Sequence, residues 1–173
     1  MRPGLLGLSS ALALSATAAV AGEAFVGAYA HDVHVFALGG YEDGAQIAAG
    51  YRSDPLSSLR VVGSPSAYGF AAANTAGGVN YAAAGLSWRF GDRLFLRPGV
   101  GLAIQDGEVH KFQEGDTLNL GSRVLAELEL GLGWQINPRT SVEGSYVHLS
   151  HGQLAGRQNP GLDDVGLRLS IRF

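Results

Sequence analysis

The chain has 173 residues and no cysteine, carries a formal net charge of −3, and is 46% apolar with 16% charged residues and 26 glycines. That length is one domain's worth of chain. The lack of cysteine excludes disulfide scaffolds, thiolate metal sites and a cysteine nucleophile, and 12 basic against 15 acidic residues leave no cationic field for general nucleic-acid binding. Abundant glycine with few charges suits β-structure or lipid contact better than a soluble helical domain, because each glycine weakens a helix by about 1 kcal/mol.

Arg2 precedes an apolar, small-residue run from Leu5 to Val20 that ends in Ala19-Val20-Ala21 before Gly22-Glu23. A charged start, an apolar middle and a small-residue exit predict a secretory signal over residues 1–21 and a mature chain over 22–173. The run is near the ~18-residue minimum for a spanning helix and is rich in alanine and serine, which makes a membrane anchor the poorer fit.

In chain order, strands are expected near Ala24 to Ala30, Gly44 to Arg52 and Ala67 to Asn74. Next, Leu86, Trp88 and Phe90 alternate with Gly85, Ser87 and Arg89, and Leu94, Leu96, Pro98, Val100, Leu102 and Ile104 alternate with small or charged residues. The pattern recurs from Val124 to Gln135 and runs without an error from Val165 to Phe173, with Arg139 to Ser150 between them. Period two is the mark of a strand with one apolar and one polar face.

Such strands build either a soluble sandwich or a transmembrane barrel whose apolar faces meet lipid. Tight turns at Gly91-Asp92 and Asn137-Pro138 alternate with long polar connections near 106–121 and 151–162, the outer-membrane barrel pattern. The expected fold is therefore all-β, an eight-stranded antiparallel transmembrane β-barrel. Only Ser53 to Pro65 is longer than a periplasmic turn should be. Inward-facing Glu127, Glu129 and Glu143 are expected to pair with Arg89, Arg97, Arg168 and Arg172, filling the barrel as structural plugs and leaving no conducting pore.

The seventh strand carries the chemistry. Glu143 on lipid would cost about 2 to 4 kcal/mol at mid-membrane, so the even positions Val142, Gly144, Tyr146, His148 and Ser150 face outward. On the last strand the odd positions face outward, and extending them back from Val165 brings Asp163 to the same face. A serine, a histidine and a carboxylate thus converge on the outer wall at one membrane edge. With the N-terminus delivered from the periplasm, that edge is extracellular and meets lipopolysaccharide. Ser150 could attack an ester carbonyl, His148 take its proton and Asp163 orient the imidazole. Taken alone, a histidine and a serine at a strand end commonly mark only the polar membrane boundary.

The stretch His148-Leu149-Ser150-His151-Gly152, with Asn159-Pro160-Gly161-Leu162-Asp163 and an alternating strand ending in Phe173, resembles the C-terminal signature of the PagL family, outer-membrane lipid A 3-O-deacylases. The resemblance implies hydrolysis of the ester-linked acyl chain at position 3 of lipid A, without metal or other cofactor. It implies that His148 is the base, Ser150 the nucleophile and Asp163 the acid. Asn159 matches a loop asparagine, and the backbone at His151 and Gly152 would support an oxyanion hole. Three departures stand out: aspartate replaces the family's glutamate, the loop is one residue longer so that Asp164 competes for the acid's place, and His151 replaces an asparagine after the nucleophile.

Two further possibilities remain open on sequence: a catalytically silent barrel for adhesion or membrane stability, and an outer-membrane phospholipase with the same triad. The partner implied is lipid A in the outer membrane, with no nucleic acid, and nothing in the pattern specifies an oligomer. His31 and His34, expected on opposite faces of a strand, are poorly placed to share a metal. His110 and Lys111 are loop residues that could touch lipid A phosphates, while Asn74, Asn80, Glu114 and Asp116 are ordinary loop polar groups.

Overall fold

The computed structural model describes residues 21–37, 39–109, 118–154 and 159–173. The expected signal segment, apart from Ala21, lies outside these residues, as do His110, Lys111, Glu114 and Asp116. Eight strands follow one another: β1 (Gly22–Ala30), β2 (Ala45–Ser53), β3 (Ser66–Asn74), β4 (Tyr81–Ser87), β5 (Leu94–Gln105), β6 (Val124–Gln135), β7 (Thr140–Ser150) and β8 (Leu162–Arg172). Each pairs antiparallel with its neighbour, and β1 pairs with β8 to close the barrel. Closure satisfies every strand edge, which is what lets a sheet sit in lipid.

Alternation sorts the side chains as expected. Along β6 every second residue is buried, and Val124, Leu128, Leu130, Leu132 and Trp134 stand exposed on the outer wall. Val165, Leu167, Leu169 and Ile171 do the same on β8. Trp134, Phe90 and Phe173 flank this apolar band at the short-turn end, and Phe36 and Tyr146 stand at the long-loop end. Aromatic girdles at two heights are how a barrel meets the two membrane interfaces.

The interior is packed rather than open. Phe25, Tyr29, Tyr68, Phe70 and Tyr81 fill its middle with Leu125, Val147 and Leu149. Below them an ion network crosses the barrel. Arg168 reaches Glu129 and Glu143, Arg97 reaches Glu143 and Glu23, and Arg52 joins Glu23 to Glu129. This corrects part of the expected pairing. Arg89 instead donates to the carbonyls of Gly91 and Asp92 and to Gln135, Arg172 is exposed, and Glu127 accepts from Tyr68. Arg89 and Arg172 sit too near the short-turn end to reach the central carboxylates, and Arg52 and Glu23 take their places.

Two local differences have physical causes. β4 ends at Ser87, earlier than its alternation suggests, and Phe90 keeps only an isolated bridge to Leu96. The long 54–65 connection folds into a short 3-10 helix (Ser57–Val62), closed by Gly63 at φ 89° and tied to the wall by Trp88 Nε1 donating to the Val62 carbonyl at 2.7 Å.

Candidate active site

Register builds the site. β7 and β8 pair with His148 directly opposite Asp163, and β6 places Ala126 beside Ser150 and Leu128 beside His148. Positions i and i+2 on a strand share a face, so His148 and Ser150 both look outward from β7. Opposed residues on paired strands have Cβ atoms about 5 Å apart, close enough for an imidazole to meet a carboxylate.

The three side chains form one unbroken hydrogen-bonded chain. Ser150 Oγ lies 3.0 Å from His148 Nε2, and His148 Nδ1 lies 2.6 Å from Asp163 Oδ1. With Nδ1–H donated to the carboxylate, Nε2 presents its lone pair to the serine hydroxyl. Of the two competing acids, Asp164 turns the other way, into the barrel, where it meets His31 and Tyr81. Period two separates them: neighbouring residues on a strand cannot share a face.

Asp163 belongs to the outward parity of β8, yet its side chain is 0% exposed. The connection between β1 and β2 covers it. The amides of Val35, Phe36 and Ala37 donate to Asp163 Oδ2 at 3.1, 2.5 and 2.7 Å, and Tyr146 Oη donates to Oδ1 at 2.7 Å. The carboxylate therefore accepts five hydrogen bonds, which fix its plane and keep it charged away from water. Phe36, 81% exposed, leans edge-on against Tyr146 with ring centroids 6.1 Å apart.

The β7–β8 connection completes the surroundings. Asn159 Oδ1 accepts from the His151 amide at 3.0 Å, so the backbone N–H next to the serine is already engaged. Gly152 and Gln153 both take positive φ, 55° and 63°, turning the chain sharply after β7, and a Cβ at Gly152 would meet nothing within 4 Å. Gly161, at φ 78°, packs between Ala37 and the His148 ring, where a Cβ would lie 3.2 Å from Ala37 Cβ and 3.3 Å from His148 Cε1. Beside Ser150 an apolar groove of about 450 Å³ runs between Leu102, Val124, Ala126 and Leu154 on the outer wall.

Sequence reasoning did not single out the Val35–Ala37 amides, Tyr146 or Gly161 for a role at the site. Tyr146 shares the outward parity of His148, and Asn-Pro-Gly before a strand signals a turn glycine, but backbone donors carry no residue signature. His31 and His34 also differ from expectation, because β1 ends at Ala30 and both lie in the following loop. His31 is buried and His34 exposed. Among the described residues no three histidine or acidic side chains are arranged to hold a metal ion.

Known proteins resemble this chain in sequence family and in fold. The family model described as lipid A 3-O-deacylase (PagL) matches residues 54–172. No curated protein sequence matches significantly. Among solved structures, the crystal structure of the outer membrane enzyme PagL is similar with a TM-score of 0.64 and 20% identity, covering 87% of this chain and 99% of that one. The outer membrane protein Ail of Yersinia pestis, in a phospholipid bilayer nanodisc, is similar with a TM-score of 0.50 and 12% identity, covering 88% of this chain and 99% of that one.

Proposed function

The chain belongs to the lipid A 3-O-deacylase (PagL) family, and from that premise we propose that it hydrolyses the ester-linked acyl chain at position 3 of lipid A by a Ser150-His148-Asp163 triad. The observation that carries this is the hydrogen-bonded chain from Ser150 through His148 to Asp163, set on the lipid-facing wall beside an apolar groove. In this proposal residues 1–21 are an export signal, residues 22–173 are the barrel, and the triad faces the outer leaflet.

Ser150 Oγ attacks the ester carbonyl as its proton passes to His148 Nε2. Asp163 holds the Nδ1–H tautomer and stabilises the imidazolium that forms. The tetrahedral oxyanion is met by the Gly152 amide and the Asn159 side-chain amide nitrogen, whose partner oxygen is held by the His151 N–H. Collapse breaks the bond to the sugar oxygen, which takes the proton from His148. Water, deprotonated by the same imidazole, then releases the fatty acid from Ser150. The groove along Leu102, Val124 and Ala126 receives the acyl chain, so the scissile ester reaches the serine without leaving the membrane.

Mass spectrometry of lipid A from cells producing the chain tests this. Loss of one 3-hydroxyacyl mass is expected, abolished in Ser150→Ala and His148→Ala. Unchanged lipid A with released phospholipid fatty acids makes the chain a phospholipase, and no change in either lipid overturns ester hydrolysis.

A further inference from the structure

Two features inside the barrel mouth are unused by this chemistry: a fully buried histidine, and a second aspartate next to the triad acid. His31 Nδ1 lies 2.9 Å from Asp164 Oδ1, and its Nε2 lies 2.9 Å from Glu42 Oε2. It therefore bridges β8 to the far end of the β1–β2 connection. Asp164 also accepts from Tyr81 Oη at 2.8 Å and from the Asp32 amide at 3.3 Å, and Glu42 accepts from the Val79 amide at 2.7 Å. Asp32 folds the connection back on itself, since its Oδ2 takes the amides of Tyr41 and Glu42 at 2.6 and 3.0 Å.

Between those two anchors lie Val35, Phe36 and Ala37, whose amides hold Asp163 Oδ2. Asp163 and Asp164 thus grip the same loop from opposite faces of one strand. We infer that His31 is a positioning residue for the triad acid: by clamping Glu42 to Asp164 it holds the β1–β2 connection over the wall so that its amides orient Asp163. This rests on the assignment of Asp163 as the acid of the triad.

The clamp requires the charged imidazole. A neutral imidazole has one N–H, so one of its two carboxylate contacts would set lone pair against lone pair. Burial opposes the charge, but the hydrogen bonds that the imidazole donates to Asp164 and Glu42 outweigh it and push the His31 pKa up to about 9. The groups facing the bridge are Asp164 from β8, Glu42 and Asp32 from the loop, and, through Asp164, Tyr81 from β4. Above that pH one contact fails, the loop loosens, and the Asp163 carboxylate loses its three amides while Ser150 and the groove stay in place. The expected signature is a fall in kcat with little change in KM.

The test uses the full chain folded in detergent micelles. Deacylation of lipid A is followed from pH 6 to 10 for wild type, His31→Gln and Glu42→Ala, with the folded fraction read from electrophoretic mobility before and after heating. The wild type is expected to lose kcat with an alkaline limb near pH 9. Each variant is expected to show kcat lower by about tenfold at pH 7, KM within about twofold, and no alkaline limb. His31→Gln with wild-type kcat and an intact alkaline limb overturns the inference. Should His31→Gln fold poorly, Glu42→Ala decides: unchanged kcat with the limb retained overturns it equally. Failure of the hydrolase assignment looks different, since wild type and Ser150→Ala would then be equally inactive at every pH.

Discussion

Adjacent aspartates on one strand do separate jobs because a strand sends neighbouring side chains to opposite faces. Asp163 meets His148 on the outer wall, and Asp164 meets His31 and Tyr81 inside. Asp163→Asn is expected to lower kcat on the order of 10³- to 10⁴-fold, because an amide no longer enforces the Nδ1–H tautomer. Asp164→Asn should lose only the loop's share, about tenfold. Deacylation kinetics of the two variants separate them. Gly161 is a second test at this scale. Its φ of 78° strains any L side chain, and a new Cβ would press on Ala37 and the His148 ring. Left-handed backbone costs a non-glycine residue about 1–2 kcal/mol, a fraction of the roughly 5–15 kcal/mol typical of folded proteins. Gly161→Ala should therefore fold yet lose on the order of 10²-fold in kcat through a displaced imidazole.

Among the elements, the β1–β2 connection decides more than any strand. It buries an acid that would otherwise face lipid, and it is anchored by carboxylates, amides and one imidazole rather than by a regular ladder. Because the His31 pKa is raised to about 9 from its ordinary 6.5, folding stabilises the protonated form. That stabilisation is complete below pH 6.5 and is lost as pH rises through about 9. Urea unfolding at pH 6 and pH 10 should show the wild type more stable at pH 6, with the difference reduced in His31→Gln. The 54–65 connection illustrates the opposite end. Its 3-10 helix exposes Val61 and Val62, and Trp88 fastens it by a single indole hydrogen bond.

For the whole molecule, the interior charges are the main stake. Glu129 joins Arg52 and Arg168 at 3.0 and 2.9 Å, and all three are nearly unexposed. Glu129→Ala leaves two guanidiniums short of a partner in a packed interior, which typically costs about 3–5 kcal/mol. Denaturant unfolding followed by tryptophan fluorescence measures it. The outward apolar band needs no such compensation, because its solvent is lipid.

Much of this is legible in the sequence. Strict alternation from Val124 to Gln135 and from Val165 to Phe173, with short turns opposite long loops, implies a barrel. Parity alone brings His148, Ser150 and Asp163 to one outer edge, because period two is a local property of the backbone that needs no knowledge of distant contacts. Tertiary structure alone decided that the β7–β8 register sets His148 directly opposite Asp163, that Arg52 and Glu23 belong to the interior network, and that His31 bridges Glu42 to Asp164. It also decided that three amides from residues 35–37 hold an acid more than 120 positions away in the chain. Loops have no period, and backbone donors look alike in any sequence. Their partners are chosen by how the closed barrel brings β1 against β8.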